Sequence, residues 1–294
     1  MAVATTARPV VRQPARFAIR RRGANKEQAS ALWTVVAWGV GLLAFFPVLY
    51  MFLTAFKTET AAVSLPPRLI FQPTLEQFRT VLSGDFLPFF RNSAIASLVS
   101  TALVMLLAVP AAYALALRPP KKWKDILFFF ISTRFMPAAG VIVPLYIIFR
   151  EAGLLGTMRG LIILYTAMNL PIAIWMLRSF FEEVPKDVLD AAEVDGANVM
   201  RLMTEILLPM IAPGIAATIF ISIIFAWNEF FFAVSLAAAG TATVPIFMVK
   251  FVTSEGLFWA KLAASSTLAV LPIVLLGWVA QRQLVRGLSM GAVK

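Results

Sequence analysis

The 294-residue chain contains no cysteine and no histidine. The absence of cysteine excludes a disulfide framework, a thiolate metal site and a cysteine nucleophile. Without histidine as well, nearly every zinc site and every Ser–His catalytic arrangement is excluded. Charged residues make up only 14% of the chain, about half the usual share. Hydrophobic residues fill 60% of it, which excludes almost any soluble globular fold.

Six stretches of the chain are long and apolar enough to cross a membrane, since a span needs about 20 mostly apolar residues. They cover residues 31–56, 92–117, 126–149, 161–181, 206–236 and 262–280. Lipid offers no partner to open backbone groups, so each stretch is predicted to be helical. The fifth stretch is long and is expected to tilt or to begin at the membrane interface. The predicted fold class is therefore all-α, a polytopic membrane protein with six transmembrane helices.

The distribution of basic residues indicates the orientation of these spans. If the N-terminus is inside, 17 Lys and Arg residues lie on cytoplasmic segments and 8 on outer segments. This bias predicts that both termini are cytoplasmic. The expected organisation is a basic tail over 1–30, a transmembrane domain over 31–282 with a cytoplasmic loop at 182–205, and a C-terminal tail over 283–294. The first apolar stretch is too long for a signal peptide and is predicted to be an uncleaved helix.

The longest polar stretch on the predicted cytoplasmic side is 182–205. Pro185 suits the first turn of a helix, and Asp187 and Asp190 suit its positive end. Gly196 can adopt a positive φ, so it can end one helix and allow another to start. Apolar stripes on the two helices are Val188, Leu189, Ala192 and Val194, then Val199, Leu202, Met203 and Ile206. These features predict a helix–turn–helix beside the membrane; the alternative is an amphipathic loop resting on lipid headgroups.

The same segment resembles a known family. The run DAAEVDGA at 190–197, followed by ILLP at 206–209, resembles the "EAA…G…I-LP" loop of ABC-importer permeases. In that family the loop is the coupling helix that docks into a cleft on the ATPase subunit. Asp190 stands where the family usually has Glu, and Met203 where Phe is common. The resemblance implies these ATPase-coupling residues: Asp190, Ala191, Ala192, Glu193, Asp195, Gly196 and Ala197.

Further motifs narrow the resemblance to carbohydrate importers. The sequences at 92–93 (NS), 111–114 (AAYA), 143–146 (VPLY) and 226–230 (AWNEF) resemble the carbohydrate-permease pattern. The runs at 256–262 and 283–288 resemble the polyol (mannitol/sorbitol) branch, in the MalG-type subunit of a permease pair. The chain is thus identified as resembling a type I ABC-importer permease of the bacterial inner membrane. Its expected solute is a sugar or a sugar alcohol.

The source of energy is expected to lie outside this chain. No Lys follows a Gly, so the phosphate loop G-x-x-x-x-G-K-[ST] is absent. The resemblance implies a transport subunit that is not an enzyme and binds no cofactor, with ATP and Mg held by a partner. The implied partners are a second permease subunit forming a heterodimer, two ATPase subunits and an extracytoplasmic solute-binding protein. The C-terminal run 282–294 fits contact with the ATPase or a basic anchor on membrane lipid equally well.

Polar residues inside the spans are candidates for the solute pathway, because a charge there is costly unless it faces a cavity or a partner. Arg134, roughly 15 Å into its span, either donates to solute hydroxyls or an anionic group, or is a structural charge. Trp227, Asn228 and Glu229 combine an aromatic face with hydrogen-bonding groups, as a sugar requires. Trp227 also suits an interface anchor. Asn169 is a weaker candidate, because Asn often joins helices.

Three alternative functions stay open at this point. Arg134 leaves room for an anionic sugar derivative as the solute. A secondary transporter would need an acidic site at mid-membrane, which the spans do not offer, because Glu229 is off-centre. A scaffold or receptor would not need the helix–turn–helix. Nucleic acid is not an expected partner, since the basic residues are not interleaved with an aromatic platform.

Overall fold

The computed structural model describes residues 31–253 and 256–290, the last nine of them by backbone alone. The predicted basic tail over 1–30 and the final residues 291–294 lie outside the described residues. Helices in chain order are α1 (Ala31–Thr54), α2 (Glu59–Ala62), α3 (Glu76–Ser83), α4 (Phe86–Leu117), α5 (Trp123–Arg134), α6 (Ala138–Glu151), α7 (Met158–Glu182), α8 (Lys186–Val194), α9 (Val199–Arg201), α10 (Leu208–Met210), α11 (Ala212–Trp227), α12 (Phe231–Leu236), α13 (Val244–Val249) and α14 (Trp259–Met290).

Three shorter elements complete the description. A π-helical segment, Leu202–Leu207, joins α9 to α10. A 3₁₀ turn, Ala239–Thr241, precedes α13. Strands β1 (Val252–Thr253) and β2 (Gly256–Leu257) pair antiparallel in a small hairpin before α14.

Four helices of the described chain are long and apolar enough to cross a membrane on their own. They are α1 from Leu32, α4, α7 and the part of α14 up to Gln281. Two bent helix pairs bring the number to six if each pair counts as one span. This arrangement confirms the predicted all-α, polytopic class. Proline does not interrupt the helix at Pro47, Pro110, Pro144, Pro171 or Pro272.

The third predicted span, 126–149, is not one continuous helix. It consists of α5 and α6, which meet at an angle of 95°. Pro137 forms the N-cap of α6 with an extended ψ of 126°. A proline has no N–H to donate and disfavours the helical conformation of the residue before it, so the chain turns there.

The fifth predicted span, 206–236, also contains a bend. The helical stretch Val199–Met210 meets α11 at 77°, with Ile211 between them. Prolines stand on both sides of the bend, at 209 and 213. A second break follows α11, which has its C-cap at Asn228. The rest of the predicted span contains the separate helix α12 (Phe231–Leu236).

By residue contacts the chain divides into residues 1–47 and residues 48–294, with α1 running through the boundary. Within the first unit, the described side chains of α1 are exposed, among them Trp33, Trp38 and Leu43. An apolar helix with exposed side chains all round is the composition expected of a helix solvated by lipid.

In the second unit, α4 packs closely along α7, and α11 packs against both and against α14. Small residues at these interfaces let the backbones approach, as in Ala96, Ala108 and Ala112 of α4, which are fully buried. One hydrophobic cluster joins the last turns of α4 and α7 to α8 and the π-helical segment, with Phe181 and Leu207 fully buried. Helix α8 and the π-helical segment therefore pack against the end of the bundle at which α4 and α7 finish.

At the other end of α4, the Asn92-Ser93 motif holds the segment before α13. The Asn92 amide donates to the carbonyls of Gly240 and Ala242, each at 3.0 Å. The Ser93 hydroxyl accepts from the Val244 amide at 2.8 Å. Both motif residues are buried, so these bonds replace water that the loop backbone has lost.

Candidate elbow and solute pocket

The predicted turn at Gly196 is confirmed in its local geometry. Gly196 has φ of +69°, and the residue after it donates from its amide to the Ala192 carbonyl at 2.9 Å. The Gly196 amide donates to the Glu193 carbonyl at 3.0 Å. These two bonds form a Schellman motif, which satisfies carbonyls at the helix end and reverses the chain. We call α8, this turn and α9 the elbow, residues 186–201.

The second limb of the elbow begins at Asn198, whose Oδ1 accepts from the Arg201 amide at 2.9 Å. Asn is a strong N-cap because its side chain satisfies an amide that the first helical turn leaves open. The limb continues directly into the π-helical segment Leu202–Leu207. The elbow is thus connected to α11 through a π-helical turn and a 77° bend.

The two faces of the elbow differ in character. Towards the bundle, Ala192 is buried, and Leu189 and Leu202 are half-buried in the cluster with Phe181. A pocket of about 390 Å³ lies between this face and the end of α4, lined by Tyr113, Leu117, Arg118, Leu189, Ala192, Glu193, Ala197 and Leu202. Away from the bundle the elbow is exposed and acidic, with Asp187, Asp190 and Asp195, and Glu193, which also lines the pocket, is exposed as well.

Individual predicted residues divide between the two faces. Ala191 is exposed and Ala197 is half-buried, so only part of the small-residue set faces the bundle. Val194 was wrongly included in the apolar stripe, because it is 87% exposed. Val199 was wrong for the same reason, being exposed on the second limb. The exposed surface of the elbow therefore combines carboxylates, small side chains and the apolar side chain of Val194.

Arg134 lies at the end of α5, immediately before the bend. Its Nη1 donates to the Met168 carbonyl of α7 at 2.9 Å, and its guanidinium carbon lies 5.3 Å from the centre of the Phe225 ring. The side chain is half-buried and lines a pocket of about 440 Å³. The other lining residues are Thr133, Met136, Ala138, Val141, Leu145, Leu164, Ala167, Met168 and Phe232. A guanidinium has five N–H donors, so this pocket has hydrogen-bonding capacity beyond the one bond to Met168.

Trp227, Asn228 and Glu229 have three different surroundings. Trp227 is buried, meets Phe90 edge-to-face with ring centres 5.5 Å apart, and lines a separate apolar pocket beside α14. Asn228 is exposed, and its amide donates to the Ile224 carbonyl of its own helix at 2.8 Å. The structure does not bring these side chains together into one sugar-shaped cluster, because α11 ends at Trp227 and the chain changes direction.

Glu229 binds the start of α12. Its two oxygens accept from the amides of Phe232 and Ala233, each at 2.9 Å, and the Tyr165 hydroxyl donates to it at 3.3 Å. A carboxylate at the first turn of a helix satisfies open amides and complements the helix dipole. Because Phe232 lines the pocket that contains Arg134, Glu229 helps to position one of that pocket's lining residues through its backbone amide.

Asn169 lies within α7 and is 2% exposed. Its amide nitrogen donates to the Tyr165 carbonyl at 3.0 Å, one turn earlier in the same helix. Its Oδ1 accepts no hydrogen bond from the described residues. The residue is thus buried, and it is not among the residues that line the pocket with Arg134.

Comparison with known proteins identifies the family. Residues 107–288 match the family described as "Binding-protein-dependent transport system inner membrane component". The chain belongs to this family. It is therefore an ABC transporter permease, a multi-pass subunit of the inner membrane that transports rather than catalyses, and the ATPase is a separate subunit.

Relatives match the permease over nearly their whole length. It is 36% identical over 264 residues to the probable ABC transporter permease protein y4oR of Sinorhizobium fredii, covering 90% of this chain and 95% of that one. It is 34% identical over 267 residues to the trehalose transport system permease protein SugB of Mycobacterium tuberculosis, covering 89% and 97%. The fold is similar to that of a bacterial ABC transporter that imports the acidic polysaccharide alginate, with a TM-score of 0.72, 21% identity, and coverage of 86% and 95%.

Several residues that organise this permease were not singled out from the sequence. Asn198 caps the second limb of the elbow, and an Asn directly before an apolar helical pattern is a recognisable N-cap signal. Tyr165 binds Glu229 across 64 positions, and no local pattern indicates such a pair. Gly214 of the permease lies so close to Phe180 that a methyl group at Gly214 would overlap the ring.

Proposed function

We propose that this permease imports a sugar or a sugar alcohol and is driven by ATPase subunits that bind its elbow. The observation that carries the proposal is the exposed acidic face of the elbow, held on the end of the bundle by the glycine turn. Leu189 of the elbow and the adjoining Leu202 pack against the cluster formed by the last turns of α4 and α7, so a push on the exposed face is transmitted to the spans. The relative named as a trehalose transport system permease supports a sugar as the solute.

The assembly we propose contains this chain as the MalG-type half of a permease heterodimer, with two ATPase subunits and an extracytoplasmic solute-binding protein. ATP-driven closure of the ATPase pair would move the elbow and switch the pathway between inward and outward access. Both termini and the elbow would then lie on the cytoplasmic side, as the distribution of Lys and Arg predicts. Within the sugar class, the polyol branch is the solute group that the C-terminal motifs favour.

The decisive experiment combines co-purification with uptake into vesicles. A panel of labelled sugars and polyols is tested, and the assembled complex is expected to take up at least one of them only when ATP is supplied. The ATPase subunits are expected to co-purify with this permease. Replacing Gly196 by Pro should release the ATPase, because Pro fixes φ near −65° and cannot adopt the +69° of this turn.

Gly153 provides the matched control. It has φ of +65°, open space where a side chain would lie, and an amide that donates three residues back, as Gly196 does. Gly153→Pro imposes the same backbone conflict just after α6, away from the elbow. Retention of the ATPase by Gly196→Pro, or its loss from both variants alike, would count against docking at the elbow.

An anionic sugar derivative is the second candidate, and the position of Arg134 favours it. The guanidinium lines a pocket of about 440 Å³, and a planar fork of N–H donors suits a carboxylate or a sulfonate. Unlabelled neutral polyols and unlabelled acidic sugars are each tested as competitors of uptake. Whichever class competes more strongly identifies which of the two candidates is the solute. With an anionic solute, Arg134→Gln should weaken competition by acidic sugars by about tenfold or more and leave competition by neutral sugars nearly unchanged.

A further inference from the structure

The side chain of Arg178 joins the ends of three helices near the elbow. On its own helix α7, its two terminal nitrogens donate to the two carboxylate oxygens of Glu182, one of them at 2.9 Å. Its Nε donates to the Leu115 carbonyl in the last turn of α4 at 3.4 Å. Its guanidinium carbon lies 4.3 Å from the centre of the Trp123 ring, at the first residue of α5. Only 13% of the side chain is exposed.

Each of these contacts has a separate physical reason. The last carbonyls of a helix have no amide four residues on, so a donor from outside stabilises the end of α4. A two-pronged bond to a carboxylate restricts the orientation of the guanidinium plane. Stacking of a half-buried guanidinium on indole is favourable, and Trp is the best ring for it. Together the three contacts hold the ends of α4, α5 and α7 in one arrangement.

Arg178 lies about two helical turns before α8 begins, so it sits between the elbow and the spans. The helix it holds at its start, α5, packs along α7 and ends at Arg134. A helix of 12 residues spans about 18 Å, and it connects the contact at Trp123 to the pocket that Arg134 lines. A continuous path therefore runs from the elbow to that pocket.

We propose that Arg178 is a positioning residue that makes α5 follow the elbow, so that movement imposed on the elbow reaches the Arg134 pocket. The inference rests on the proposed function, because it assumes that an ATPase moves the elbow. It adds a specific link: the Arg178–Trp123 contact, rather than the packing of α4 on α7 alone, carries the movement to α5.

A second ion pair in the same region provides a matched control. Arg201 donates to Glu205 at 2.9 Å with the same four-residue spacing, and both side chains are 61% exposed. Exposed pairs of this kind contribute little to stability. Glu205 lies outside the elbow, so Glu205→Gln removes the same kind of ion pair without altering the elbow or a contact that joins helix ends.

The experiment uses the whole complex and needs no knowledge of the solute. Because the chain contains no cysteine, spin labels can be attached to Cys introduced at Phe128 of α5 and Leu275 of α14, both exposed. We expect the distance between the labels to change by about 2 Å or more between the nucleotide-free and ATP-trapped complexes. Arg178→Gln should abolish this change, Arg178→Lys should restore part of it, and Glu205→Gln should leave it intact.

A second pair of variants covers the case in which Arg178→Gln does not fold. Trp123→Leu removes the ring and should reduce the distance change, whereas Trp123→Phe keeps an aromatic face and should retain most of it. Equal distance changes in Arg178→Gln and the unaltered chain would overturn the inference, as would no change in the unaltered chain. These outcomes are distinct from failure of the proposed function, which would appear as absent ATPase co-purification or absent ATP-dependent uptake.

Discussion

Single charged residues of this permease bind backbone groups at helix ends. Glu229 accepts from two amides at the start of α12, and Glu59 accepts from the amides of Ala260 and Lys261 at the start of α14, each at 3.0 Å. Arg134, itself the last residue of α5, donates instead to the Met168 carbonyl within α7. Helix ends in an apolar environment leave backbone groups open, and ionised side chains form strong hydrogen bonds with them. These charges are therefore stabilised where they lie.

At the elbow, reversal of one charge tests docking. We expect Asp190→Lys to lower ATP-dependent uptake by about tenfold or more while the complex still assembles, because a carboxylate on the proposed docking face becomes an ammonium. Uptake into vesicles and ATP hydrolysis are measured on the same preparation. Asp125→Lys is the control, since Asp125 is also an exposed carboxylate on a helix and lies outside the elbow. Undiminished uptake by Asp190→Lys would contradict the docking role.

Gly214 shows how a single missing methyl group decides packing. A Cβ there would overlap Cγ of Phe180, at the base of the ring, so α7 and α11 must separate to admit it. We expect Gly214→Ala to destabilise the permease by about 1–3 kcal/mol, seen as a lower Tm in detergent.

Gly140 of α6 is the control for this substitution, because a Cβ at Gly140 would have no other atom within 4 Å among the described residues. Gly140→Ala should leave Tm unchanged or raise it slightly, since Ala favours a helix over Gly. If Tm were the same for Gly214→Ala and the unaltered chain, the contact with Phe180 would not require glycine at position 214.

At the scale of elements, the two bent spans carry the polar chemistry. The bend between α5 and α6 places Arg134 at a helix C-terminus, where a cation is favoured. The break after α11 places Glu229 at the start of α12, where an anion is favoured. Backbone groups without a helical partner are tolerated inside a membrane only where protein or a water-filled cavity surrounds them. Breaks in the spans are therefore places where polar groups can line a pathway.

The π-helical segment Leu202–Leu207 leads to a prediction about the link between elbow and bundle. A π-helical turn accommodates an extra residue and keeps the helices on both sides in register. Deletion of Thr204, which is exposed, should therefore relax the segment to α-helix and leave Tm close to that of the unaltered chain.

Deletion of Ser179, an exposed residue within regular α7, is the control. It should rotate the following residues by about 100° and lower Tm strongly, because Phe181 would leave its buried position. Equal loss of Tm in the two deletions would show that the π-helical segment does not hold an extra residue.

At the scale of the whole molecule, the orientation in the membrane can be tested directly. Val194 on the elbow is 87% exposed and Ile70 in the loop before α3 is 95% exposed. Because the chain has no native cysteine, Val194→Cys and Ile70→Cys each carry a single thiol. A reagent that cannot cross the membrane should label Ile70→Cys in intact cells and Val194→Cys only in inverted vesicles. Labelling of both from the same side would contradict the predicted topology.

Much of the architecture was predictable because it depends on local chemistry. Apolar length predicted six spans, and the glycine after Asp195 predicted the turn that φ of +69° at Gly196 confirms. The bends at Pro137 and Ile211 were not predicted, although prolines were present. Other prolines, such as Pro110 and Pro171, lie within continuous helices, so proline alone does not decide where a membrane helix bends.

The surroundings of the candidate solute residues were beyond sequence reasoning. Trp227 and Glu229 are two positions apart, yet one lines an apolar pocket and the other caps a helix, because α11 ends between them. Arg178 looked like one of many basic residues on the cytoplasmic side. Its contacts with Leu115 and Trp123 join residues far apart in the chain, and no local pattern encodes them.

The sequence by itself determined that this protein lies in a membrane, where its helices run and where its elbow turns. These properties follow from the cost of exposing polar backbone to lipid and from the φ that one residue can adopt. Only the tertiary structure decided which side chains share a pocket and which helix ends meet at Arg178. Those outcomes depend on how each helix rotates and bends against its neighbours, a balance of packing that is settled across the whole bundle at once.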